Sequence, residues 1–348
     1  MIPCVNRREF LVAGSAAVSS IAFPTLAFSR SPRARAQVVR TATDRFELIL
    51  PEPEKVRILQ ISDTHFGKPN PEYVAADPVT RKLIRTLVDE NTPDLVFHTG
   101  DFINNDTEYV DHSAIGFMNS LGTPWSVVFG NHDQPDNAPR NLTLDEYYAR
   151  FQNHATGYRT FNQGSFTARE YCFRIDIKAS NRKPVASLFG VNTGGVSVPE
   201  VVSPGQIAWF AEQMEADRSL GHNQPILVMQ HIPMIQYKTV FEEKKAIGRQ
   251  GEGVASGVDK GEVFEAYRSS GRVKGVFCGH DHVNDYIGDL QGIKLVYGRV
   301  TGWSGYGDWE RGGRMISLTK TPSAFRSRVV LPKGVIEKPE WSKTMADL

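Results

Sequence analysis

The chain has 348 residues, 40% of them hydrophobic and 23% charged, with a net charge of +1. That length buries a large core, as one α/β domain or two smaller ones, and the composition is that of a soluble globular protein. The charge gives no sign of a nucleic-acid partner: residues 1–36 hold five Arg and one Glu, a net of +4, which leaves −3 for the rest.

The N-terminus reads Asn6-Arg7-Arg8-Glu9-Phe10-Leu11, followed by a soft apolar stretch from Val12 to Phe28. Paired arginines ahead of Phe-Leu resemble the twin-arginine export signal of bacteria. Ala34-Arg35-Ala36 has the small-x-small form of a cleavage site, and a second cut is available near Phe28-Ser29. The reading is a cleaved leader over 1–36, engagement with the twin-arginine export machinery, and a periplasmic or secreted protein without a stable membrane anchor. A retained anchor is the alternative. That route carries folded proteins, so metals can be loaded before export. Cys4 falls in the leader; Cys172 and Cys278 either pair as a disulfide or sit buried as small apolar residues, and their spacing is not that of a metal site.

Beyond the leader, Arg45–Leu50 reads as an edge strand closed by Pro51 and Pro53. Val56–Ile61, Asp94–Thr99 and Trp125–Phe129 are apolar strands, each running straight into a polar loop. Between them, Pro78–Glu90 fits a helix with Asp77 as its cap and Pro78 at its first position, and Tyr109–Leu121 fits a second helix. Tyr171–Ile177 and Val185–Val191 follow as strands, Pro204–Asp217 as a helix, and Ile226–Gln230 as a strand ending at His231. Tyr237–Gly261 reads as a long polar loop beside the active site. Glu262–Ser270 fits a helix and Val273–Cys278 a strand. Tyr286–Leu290, Lys294–Tyr297, Met315–Thr319 and Phe325–Leu331 read as strands of a second sheet. The domain is expected over 44–332, with 333–348 as a tail.

The residues that bind metals follow the strands, which is where open α/β sheets place ligands. They are Asp63 and His65, Asp101 after Gly100, Asn131-His132-Asp133 after Gly130, His231, and His280-Asp281-His282 after Gly279. In extended chain, positions i and i+2 face one side, so Asp63 with His65, and His280 with His282, are expected to project together. The two oxygens of Asp101 can bridge two ions. Asp63 and Asp101 bring −2 against +4 from two divalent cations, so the pocket stays positive and attracts a phosphate ester. Imidazole mixed with carboxylate suits zinc, iron or manganese, not calcium.

The order D-x-H, G-D, G-N-H-D, H, G-H-D-H resembles the calcineurin-like metallophosphoesterase superfamily. The resemblance implies an α/β fold, a four-layer α/β/β/α sandwich of two mixed β-sheets flanked by helices. It implies Asp63, His65, Asp101 and His282 on one metal, and Asp101, Asn131, His231 and His280 on the other. It implies a catalytic group of His132, Asp133 and Asp281, with His132 contacting the phosphate and protonating the leaving oxygen, and the two aspartates orienting histidines. Asn131 and His132 then also meet substrate. The segments 248–252, 279–285 and 307–311 are similar to plant purple-acid-phosphatase-like proteins and related yeast phosphatases. Asn104 stands where true purple acid phosphatases carry an iron-binding tyrosine, so no purple colour is expected.

The reaction so implied is hydrolysis of a small phosphate ester by a hydroxide generated at two metals, most simply a monoester. A phosphodiesterase acting on cyclic nucleotides or glycerophosphodiesters, and a non-catalytic metal-binding protein, are the alternatives. Arg249 either reaches substrate phosphate or pairs with Glu252 within its loop. Trp303, Tyr306 and Trp309 form an aromatic wall for the leaving group or pack a Gly-rich loop. His98 lies behind the ligands or serves as a core histidine.

Overall fold

The computed structural model describes residues 36–42, 44–51, 56–67, 75–104, 114–133, 160–161, 172–193, 200–318 and 325–333. Fifteen strands are found there: β1 Gln37–Arg40, β2 Arg45–Leu50, β3 Val56–Ile61, β4 Leu95–Thr99, β5 Trp125–Val128, β6 Thr160–Phe161, β7 Cys172–Ala179, β8 Pro184–Val191, β9 Ile226–Met229, β10 Ala246–Ile247, β11 Val273–Cys278, β12 Ile287–Leu290, β13 Ile293–Tyr297, β14 Gly313–Leu318 and β15 Phe325–Val330. Five helices accompany them: α1 Ala76–Asn91, α2 Ile115–Ser120, α3 Pro204–Ser219, α4 Gln236–Glu242 and α5 Glu262–Ser269.

The strands form two mixed sheets. One has nine strands in the order β1-β2-β7-β8-β9-β11-β13-β12-β10, the other six in the order β15-β14-β3-β4-β5-β6. Alternation along each strand builds the layers. In β3, Val56 and Ile58 join the core between the sheets with Leu227, Met229 and Phe277 of the nine-stranded sheet. Leu59 and Ile61 point the other way, against Leu83, Ile84 and Leu87 of α1 and Ile115 and Met118 of α2. The far face of the nine-stranded sheet packs Val228, Val276 and Leu295 against Trp209 and Phe210 of α3, Tyr237 and Val240 of α4, and Phe264 and Tyr267 of α5. The result is the expected α/β/β/α sandwich.

Helix α3 shows how locally written some of this is. Pro204 takes its first turn, Ser203 accepts from Gln206 N, and the Gln206 side chain returns the contact to Ser203 N. Helix α1 departs from expectation. It begins at Ala76 with no side-chain cap, and Asp77 instead accepts from Gly67 N at 3.1 Å.

Several other readings are corrected. Arg45–Leu50 is not an edge strand, because β1 pairs along its outer side. The sheet therefore starts at Gln37, ahead of the expected boundary at 44. Of the last four expected strands, β12 and β13 belong to the nine-stranded sheet with β11, and only β14 and β15 belong to the six-stranded sheet of β3. The stretch 237–261 contains α4 and β10. Cys172 and Cys278 are buried and form no disulfide, as the reading of small buried residues has it. The leader, residues 109–113 of the second expected helix and the tail after 333 lie outside the described residues.

Candidate metal centre

Strands β3, β4, β5, β9 and β11 all carry their C-terminal ends toward one place. Glycines let the chains close in. A Cβ at Gly100, which has φ +93°, would overlap the His231 ring, and one at Gly130 would overlap Asp101 and His231. The loops then turn sharply. Asp63, His65, Asp101 and His280 have φ of 54°, 46°, 51° and 75°. The extended i, i+2 argument therefore gives the wrong local geometry. Left-handed turns direct these side chains inward, and such strain clusters at functional sites.

Two groups of donor atoms result. One contains Asp63, His65, Asp101 and His282, the other Asp101, His231 and His280, with the donor atoms of each group within 4.8 Å of one another. Asp101 is common to both. Asn131 Oδ1 lies 3.1 Å from His231 Nε2, beside the second group. His280 and His282 thus divide between the two groups.

The imidazoles are oriented from behind. His231 Nδ1 donates to the Thr99 carbonyl at 2.8 Å, His65 Nδ1 to Asn104 Oδ1 at 3.2 Å, and His282 Nδ1 to the Tyr306 carbonyl at 3.3 Å. An oxygen acceptor on Nδ1 leaves Nε2 as a lone pair facing inward. Yet His65 Nε2 and His282 Nε2 stand 3.3 Å apart. Two lone pairs facing each other at that distance fit a cation between them. The donor set, all nitrogen and oxygen and nearly all buried, suits transition-type divalent ions.

Electrostatics agree. Burial alone lowers His231, but Asp101 at 3.3 Å and Asp63 at 3.9 Å outweigh it and push its pKa up to about 10. Burial would raise Asp101, but His231 and His65 hold it well below the carboxylate range. Burial takes His65 down to about 3 and, helped by His231, His280 down to about 4. A proton at His231 occupies a place that a cation would take.

His132 lies against this cluster, its ring 4.9 Å from that of His65, while its backbone N–H donates to Asp101 Oδ1 at 2.8 Å. The two aspartates do other work than expected. Asp133 accepts from Ile103 N at 2.9 Å, Phe102 N at 3.1 Å and Gly130 N at 2.8 Å, so it clamps the loops rather than orienting His132. Asp281 accepts from Tyr297 OH at 2.5 Å and Ala255 N at 3.2 Å, bracing the loop before α5. His98 is buried; its Nε2 meets the Thr64 hydroxyl at 2.9 Å, and that hydroxyl donates to Phe102 O. It is a core histidine under the Asp63–His65 loop.

A cavity of about 360 Å³ opens over the cluster, and Glu252 and Tyr306 also line it. Arg249 does not line it. Its guanidinium stacks on Trp309 at 4.1 Å, with no ion pair to Glu252 among the described residues. Trp303 is buried under Arg311, so only Tyr306 of the three aromatics reaches the cavity. The positioning carbonyl of Thr99 and the Tyr297 hydroxyl carry no signal in the sequence.

Residues 56–284 match the calcineurin-like phosphoesterase family. The chain belongs to that family: it is a hydrolase of phosphoric ester bonds with a binuclear Asp/His metal site. Among its relatives, a protein of Arabidopsis thaliana named "Probable inactive purple acid phosphatase 28" is 28% identical over 75% of this chain and 74% of its own length. Phosphatase DCR2 of Saccharomyces cerevisiae is 27% identical over 67% of this chain and 45% of its own. The fold is similar to that of a dimetal phosphatase from Danio rerio, with a TM-score of 0.52, 13% identity, and coverage of 80% of this chain and 99% of that one.

Proposed function

We propose that the protein is an exported phosphomonoesterase using two divalent cations drawn from manganese, zinc or iron. The observation that carries the reading is the pair of donor groups sharing Asp101 at the floor of a cavity that His132 also lines. Asp63, His65, Asp101 and His282 would hold one cation, and Asp101, Asn131, His231 and His280 the other. When bound, the pair supplies Lewis-acid polarisation of phosphoryl oxygens and an acidified water.

The chain's own residues do the rest. Thr99, Asn104 and the Tyr306 backbone fix the imidazoles, so no reorganisation is needed as charge develops. His132 would contact the phosphoryl group and give a proton to the departing alkoxide. The cavity, at the small end for ligand sites, suits one phosphoryl group and a small alcohol. Assay of the metal-reconstituted protein against matched mono- and diesters tests the reading; a higher kcat/KM for diesters would replace it with the phosphodiesterase.

The word "inactive" in the Arabidopsis relative's name favours a second reading, a metal-binding protein without turnover. Absence of hydrolysis across that panel in fully loaded protein would establish it. Export is supported by the Arg7-Arg8 leader. Lysines at both positions should keep a fused reporter in the cytoplasm, and unchanged secretion would remove this part of the proposal.

A further inference from the structure

The cavity wall beside the ligand His282 is built with care. Arg311 Nη2 donates to three successive carbonyls, Gly305 at 3.1 Å, Tyr306 at 3.0 Å and Gly307 at 2.9 Å. Gly305 has no side chain because a Cβ there would overlap the His282 ring. The Tyr306 ring consequently stacks on His282, with centroids 4.0 Å apart and planes 9° from parallel. Its hydroxyl accepts from His282 N at 3.2 Å and is shared between the two Glu252 oxygens at 2.8 Å each.

Glu252 is therefore held at the cavity wall on a rigid mount. Its Oε1 also accepts from Val283 N at 3.0 Å, whereas Oε2 has only the shared Tyr306 hydroxyl among the described residues. No Lys or Arg of the described residues pairs with it, since Arg249 is turned onto Trp309. A carboxylate has about four acceptor sites, so capacity is left facing the cavity.

We propose that Glu252, held by Tyr306, is the leaving-group subsite, and that it selects phosphate monoesters whose alcohol carries a hydrogen-bond donor, an ammonium above all. An alcohol bearing a second anion is turned away by the same carboxylate, because like charges in a partly buried site repel. The inference rests on the phosphomonoesterase reading and names its substrate class.

The test uses metal-reconstituted full chain, with 2-aminoethylphosphonate and 2-carboxyethylphosphonate as non-hydrolysable probes in calorimetry. The amine should bind at least ~10-fold more tightly, the size of one charge-assisted hydrogen bond. Glu252→Gln should shrink that ratio and Glu252→Lys should invert it. Elemental analysis and a thermal melt identify variants that are loaded and folded, and Tyr306→Phe, which frees Glu252 from its mount, should lower the ratio part of the way. Equal affinities in the parent protein, or a ratio that survives Glu252→Gln, would overturn the subsite. Turnover of phosphoethanolamine and phosphoglycolate separates the two layers. Amine-selective binding without hydrolysis keeps the subsite and removes the phosphomonoesterase reading. Hydrolysis of both esters at equal kcat/KM does the reverse.

Discussion

The six-stranded and nine-stranded sheets contribute to the centre in different ways. The ends of β3, β4 and β5 bring the carboxylates, Asp63 and Asp101, with His65 and Asn131. The ends of β9 and β11 bring imidazoles alone, His231, His280 and His282. Negative charge is thus concentrated on one sheet, and each donor group takes members from both. A cation bound in either group ties one sheet to the other. Asp101 serves both groups, whereas each nine-stranded histidine serves one.

That asymmetry can be broken by mutation. The largest effect is expected at Asp101→Ala, which should release both ions and abolish turnover, while His280→Ala or His282→Ala should each release one. Elemental analysis would show it, and two retained ions in Asp101→Ala would end the bridging assignment. His132→Ala should keep both ions and lose turnover by about 10²–10⁴-fold, the usual contribution of a general acid. Normal turnover in that variant would take the histidine out of the reaction.

A second comparison concerns the two clamping aspartates. Asp133→Ala strands three buried amide N–H groups on the six-stranded side, at ~1–3 kcal/mol each. Asp281→Ala strands one hydroxyl and one amide. Denaturant unfolding should show the larger loss for Asp133, and equal losses would contradict the loop-clamp account.

Smaller still is the effect of Asn104→Ala. Removing the acceptor behind His65 should weaken one of the two ions by ~10–100-fold. Last comes pH. His231 in the metal-free protein is raised to about 10, so its charge stabilises that form fully below its ordinary value of 6.5 and ceases to do so as pH rises through 10. A cation must displace that proton, so metal affinity should rise ~10-fold per pH unit across the neutral range. A flat profile would show that the proton lies elsewhere.

Much of the centre could be read from residues alone because every ligand follows an apolar strand, and strand ends are where such sheets gather side chains. What could not be read depends on contacts distant in sequence. The turn that aims Asp63 and His65 is left-handed, which no alternation pattern reports. The sequence reading makes Arg249 the substrate contact and Glu252 only its ion-pair partner; the structure reverses this, because Trp309 captures the guanidinium and Tyr306 holds the carboxylate at the cavity. The membership of β12 and β13 in the nine-stranded sheet is likewise decided by the pairing of β13 with β11 and of β12 with β13, not by their own residues.

The glycines around the centre have a consequence for how such chains lose activity. At 100, 130 and 279 a single added methyl would press on a neighbouring donor: His231, Asp101 or Asp63. A descendant could therefore retain each aspartate and histidine letter by letter and still be silenced by one alanine. Judging whether a homologue turns over from its ligand letters alone is unsafe; the small residues beside them must be inspected as well.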